Sequence, residues 1–88
     1  MKEQGNILFA IDYMHSAIQK HIEHFEKYNI RTIHMTYELG DLYKQIDDTK
    51  NAVIYYEKAI DCINCSHLCL ELRDEITEKI QSVKREQL

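Results

Sequence analysis

The sequence predicts an all-α protein of about four helices folded as antiparallel hairpins, and three observations carry that expectation. Apolar residues recur in steps of three and four along most of the chain, the spacing that keeps one stripe on a helix. Nowhere do apolar and polar residues alternate as they would on a half-buried strand. The chain also holds no Pro and only two Gly among its 88 residues, so little interrupts a helix once it has started.

The first helix is expected over 6–28, where Ile7, Ile11, Met14, Ile18, Ile22 and Phe25 form one stripe and Asn29 supplies a residue that ends or caps helices readily. Leu8, Ala10, Tyr13 and Ala17 widen its apolar face beyond what a single neighbour covers. A second helix over 32–46 has apolar character on two faces, Met35, Leu39, Leu42 and Ile46 on one and Ile33, Tyr37, Gly40 and Tyr43 on the other, so it needs neighbours on two sides. Asp47, Asp48 and Thr49 then bring turn and N-cap chemistry, because a short side-chain oxygen accepts from the open N–H groups of a following helix. A third helix over 49–63 carries Ala52, Tyr56, Ala59 and Ile63, with Val53 and Ile60 alongside. The last, over 66–86, shows one narrow stripe, Leu68, Leu72, Ile76, Ile80 and Val83, in a charged surround.

Size and charge limit the function. A chain of this length is expected to form one domain, 1–88, with one small core and little room for a deep enzyme pocket. Its 11 Lys and Arg are interspersed among 15 Asp and Glu, which disfavours binding to a phosphate backbone, so no nucleic-acid partner is expected. The longest apolar run, Ile7 to Ile11, is far short of the roughly 20 residues that cross a bilayer, so no membrane partner is expected either. The first residues do not read as a signal peptide, and three cysteines within eight residues suit free thiols better than a disulfide framework. Both point to a reducing, cytoplasmic setting.

Gly40 is the anomaly in this pattern. Inside an exposed helix it costs about 1 kcal/mol relative to Ala, and nothing near it suggests a turn, so close packing is the simplest reason for it. Starting from Leu39 and Gly40, the spacing continues through Tyr43, Ala52, Tyr56 and Ala59, and over 33–66 it resembles the tetratricopeptide repeat, a 34-residue helix-turn-helix unit. Thr36 stands where that family often has an aromatic residue, and Asn64 where it often has proline. The resemblance implies a short right-handed superhelix in which Gly40 and Ala52 meet where the paired helices come closest. Ala10, Met14 and Ala17 echo the spacing of Ala52, Tyr56 and Ala59, so the first helix reads as the second half of a divergent preceding repeat. The last helix reads as a cap.

The same resemblance implies an interaction adaptor that binds a peptide or helical segment of another protein. It places His34, Tyr37, Asp41, Lys44 and Gln45 on the ligand-facing side of the second helix, a face that Glu38 and Asp41 make acidic. A peptide-responsive signalling regulator, or a piece of one, is the alternative on the same fold. A metal or thiol sensor is another, because Cys62, Cys65, His67 and Cys69 supply ligand chemistry, although four ligands within eight residues would have to bend the backbone sharply around one ion. These cysteines are read as packing or exposed thiols in a helix turn, where Cys behaves as a small buried hydrophobe, and no metal is expected. His21 and His24, three apart with no assigned third ligand, are read as the polar edge of the first helix. No phosphate loop, nucleophile elbow or His-Glu-x-x-His element occurs, so neither catalysis nor a cofactor is expected. So few repeats cannot cover their own apolar faces, and a homodimer or a place in a larger assembly is expected to supply the cover.

Overall fold

The computed structural model of the chain describes residues 2–24 and 29–86. Four helices account for nearly all of them: α1 (Lys2–His24), α2 (Ile30–Gln45), α3 (Thr49–Ser66) and α4 (Leu70–Glu86). No strand occurs among the described residues, and no helix among them is long and apolar enough to cross a membrane. The final turn expected for the first helix, with Phe25, lies outside the described residues.

The caps explain where the helices start. Asn29 is the N-cap of α2: its Oδ1 accepts from the backbone N–H of Thr32 at 2.9 Å and from the Thr32 hydroxyl at 3.3 Å. Because that oxygen is an acceptor, the Nε2–H of His21, 3.0 Å away, donates to it and ties the end of α1 to the start of α2. Asp48 caps α3 by accepting from the N–H of Asn51 at 3.3 Å, while Asp47 turns the chain at φ 61°.

The connection between α3 and α4 differs from the sequence expectation. α3 runs on to Ser66 and α4 begins only at Leu70, so 64–66 belong to the helix and not to the turn. The turn is made by left-handed residues, His67 at φ 60° and Cys69 at φ 55°. Ser66 completes the end of α3 by donating to the carbonyl of Cys62 at 2.7 Å and accepting from the N–H of Leu68 at 3.2 Å. The polar run Asn64 to Ser66 looked like a break because it sits on the wet side of the helix. Leu68 lies in the turn and packs against the core from there.

Each helix packs on its neighbour in the chain, α2 with α3 most closely. α2 and α4 run parallel, since Tyr37 meets Glu75 and Asp41 meets Lys79 at the same sequence offset. The main core is built by α2, α3 and α4 from Ile33, Tyr56, Ala59, Ile63, Ile76 and Val83, with Tyr37, Ala52 and Ile80 completing it. The reason for Gly40 lies at the α2–α3 crossing: a Cβ there would stand 2.7 Å from the buried Tyr56 ring and 3.3 Å from the carbonyl oxygen of Ala52. α1 adds Ile11, 4 % exposed, to the packing but holds Leu8, Phe9 and Tyr13 out in solvent.

Candidate functional site

The face of α2 expected to bind a partner divides into three environments. Tyr37 is buried, and its hydroxyl donates to Glu75 of α4 at 2.6 Å. Asp41 accepts from the hydroxyl of Tyr56 on α3 and from Lys79 Nζ on α4, the latter at 3.1 Å. Lys79 Nζ also lies 4.9 Å from the centroid of the Tyr37 ring. The two central residues of the face are therefore already engaged along the α2–α4 seam. Lys44 continues that seam beside Glu75, Glu78 and Lys79. Gln45 is exposed, and His34 points elsewhere, lining a groove with Tyr13, Met14 and Ala17 of α1.

The groups of the seam shift one another's protonation. Burial, with the hydrogen bond to Asp41 and the charge of that carboxylate adding to it, raises the Tyr56 hydroxyl above its ordinary value of 10.0. Burial also raises Tyr37 above 10.0, helped by its bond to Glu75 and opposed by Lys79. For Lys79, burial lowers the ammonium, but the bonds to Tyr37 and Asp41 outweigh it and the net shift is upward from 10.5. These hydroxyls and charges hold one another across α2, α3 and α4.

An open concavity lies on another flank of α2, in a groove of about 410 Å³ between α1 and α3. Ile18 and Ile22 of α1 form its apolar wall, Lys58, Asp61 and Cys62 of α3 face them, and Thr32 and Thr36 of α2 form the floor. Both threonines are buried with satisfied hydroxyls: Thr36 donates to the carbonyl of Thr32 at 2.8 Å, and Thr32 to Asn29. The floor thus spends its hydroxyl protons inside the chain. At one end His15, Tyr43 and Tyr55 join three helices. Tyr43 and Tyr55 stack with centroids 5.4 Å apart and 9° between planes, and His15 Nε2 shares a 3.0 Å hydrogen bond with the Tyr43 hydroxyl. His15 meets Tyr55 edge-on at 5.4 Å, and Lys58 Nζ lies 4.8 Å from the Tyr55 centroid. Burial, then the neighbouring Tyr55, Asp48 and Asp12, raises the Tyr43 hydroxyl above 10.0.

Sequence reasoning placed Tyr43 in the core but passed over His15 and Tyr55. The signal was present: His15 follows Ile11 by four and precedes Ile18 by three, at the edge of the buried stripe.

The cysteine cluster is spread along the end of α3 and the turn after it. Cys62 and Cys69 are half-buried and pack against the core, Cys65 is exposed, and none of the three is in a disulfide. Among the described residues no group of three or more His, Cys, Asp or Glu is placed to hold a metal ion. His24 is exposed near the end of α1, and His21 is bonded to Asn29. No family model, curated protein or solved structure matches this chain.

Proposed function

We propose that this chain is a protein–protein interaction module, similar to tetratricopeptide-repeat adaptors, that binds a short helical or extended segment of a partner. The observation that supports this reading is the groove between α1 and α3, whose apolar wall and polar rim are left open by the described chain. Apolar side chains of the segment dock on Ile18 and Ile22, while Gln19, Lys58 and Asp61 on the rim bond to its polar groups. Rim charges of both signs favour a segment without a strong net charge. The groove is a better seat than the α2–α4 seam, where Tyr37 and Asp41 already spend their hydrogen bonds inside the molecule. The close approach of α2 and α3 at Gly40 supports the family resemblance from which the adaptor role follows.

Selecting binders from a random peptide library and mapping the best one by amide chemical shifts tests this. Saturable binding with shifts centred on Ile18, Tyr55 and Lys58 is expected. A library that yields no saturable binder overturns the module reading, and shifts confined to Lys44 and Gln45 overturn the groove as its seat.

A further inference from the structure

We infer that a second copy of this chain docks on the outer face of α1, its own α1 lying antiparallel in the open groove beside α2. The inference concerns a surface separate from the α1–α3 groove and does not rest on the function proposed for that groove.

The face is apolar and uncovered. Phe9 is 75 % exposed, Tyr13 68 % and Leu8 53 %, and Ile30 at the start of α2 is 53 % exposed. Phe9, Tyr13, Ser16 and Lys20 follow one another in steps of four, three and four, the seam spacing of paired helices. Small residues, Ser16 and Ala17, occupy the middle of that seam and let a second backbone come close. Beside it, Met14 and Ala17 of α1 with Ile30, His34 and Met35 of α2 line a groove of about 540 Å³. The chain exposes 5993 Å² in all. A compact monomer of the same mass exposes about 5,400 Å², so there is surface to bury.

Charge selects the occupant and its direction. Of the charged residues that line the groove, Arg31 is basic and Glu38 acidic; an adjoining hollow sets Lys20 beside Arg31, and another on the outer face of α1 holds Asp12 beside Tyr13. The outer face of α1 has the same polarity, with Asp12 early and Lys20 late, and the two lie equally far from Ser16. An antiparallel copy centred on Ser16 sets the Asp12 carboxylate of each chain against Lys20 of the other, next to Arg31. It sets each Lys20 near Asp12 and Glu38. A parallel copy would stack Asp12 on Asp12 and Lys20 on Lys20, which is repulsive. The two-fold antiparallel arrangement is self-complementary, as an isologous dimer requires.

Sedimentation equilibrium of the full chain from low to high micromolar concentration reads the outcome, with circular dichroism confirming that each variant is folded. A mass of twice 10.5 kDa is expected. Asp12→Lys and Lys20→Glu should each weaken self-association by about tenfold or more. Mixing the two variants should restore a heterodimer in part, because both 12–20 pairs across the interface are then attractive, while Arg31 and Glu38 each face one like charge. A mass that stays at 10.5 kDa over the whole range overturns the inference, as does a dimer whose affinity neither reversal changes. Both results are independent of peptide binding at Ile18 and Tyr55.

Discussion

α1 and α3 carry the same spacing of small and large residues and meet different fates. In α3, Ala52, Tyr56 and Ala59 are fully buried, because α2 lies directly on them with Gly40 at the crossing. In α1, Ala10, Met14 and Ala17 are only half-buried, while the adjacent stripe through Ile11 turns inward to α2. One stripe has its helix, and Met14 and Ala17 of the other line an open groove. A pattern of small and large residues therefore fixes where a helix can be covered, and the rest of the chain decides whether it is.

The largest test of this contrast truncates the matching positions. Tyr56→Ala removes a fully buried ring from the core and should cost about 3–5 kcal/mol. Met14→Ala should cost about 1 kcal/mol, since its side chain keeps part of its surface in water. Urea unfolding of both variants at low micromolar concentration checks the difference. Equal losses would mean that the α1 stripe is as covered as that of α3, and would break the comparison.

The two glycines provide a second pair on the same axis. Gly40→Leu overpacks the α2–α3 crossing and should cost about 1–3 kcal/mol. Gly40→Ala should also destabilise despite a helix-propensity gain of about 1 kcal/mol, because its Cβ would meet the Tyr56 ring at 2.7 Å. Gly5 of α1 has nothing within 4 Å of such a Cβ, so Gly5→Ala should raise stability by about 0.5 kcal/mol. A thermal melt in which Gly40→Ala gains as much as Gly5→Ala would place Gly40 away from the crossing.

The helices were legible in the sequence because their apolar stripes have the period of a helix, and Asp48 announced one start through cap chemistry; Asn29, expected to end the first helix, is the N-cap of α2. The α3–α4 boundary was not legible. Asn64 and Ser66 have turn-forming chemistry, but the backbone turns where His67 and Cys69 adopt left-handed conformations, and neither residue type advertises one in sequence. Gly40 revealed the α2–α3 contact because a glycine in mid-helix has a cost that only packing offsets. The face of α2 expected to bind a partner was only partly legible: one helix's periodicity places Tyr37 and Asp41 on a common face, but it cannot show that Glu75 and Lys79 of α4 reach them. The groove between α1 and α3 is a property of three helices at once, so no single stripe encodes it.

A pH-dependent contrast concerns the ionisable group on the covered stripe. At the matching place α1 has Met14, which does not titrate, whereas α3 has Tyr56, held protonated above its ordinary 10.0 by burial and by its bond to Asp41. Above pH 10 the unfolded chain loses this proton while the folded chain keeps it, so the folded state binds more protons and stability falls as pH rises. Lys79, raised above 10.5, adds a loss of the same sign. The window thus opens near pH 10 and runs upward, and nothing is lost through these groups below it. Tyr56→Phe keeps the ring and removes the hydroxyl. At pH 8 it should cost about 0.5–1.5 kcal/mol for the lost hydrogen bond. As pH rises from 10 toward 11.5, the gap to the parent should narrow, because only the parent still has the Tyr56 proton to lose on unfolding. Urea midpoints measured at half-unit steps would show this, and a gap that stays constant with pH would mean that burial and Asp41 together do not hold the Tyr56 proton.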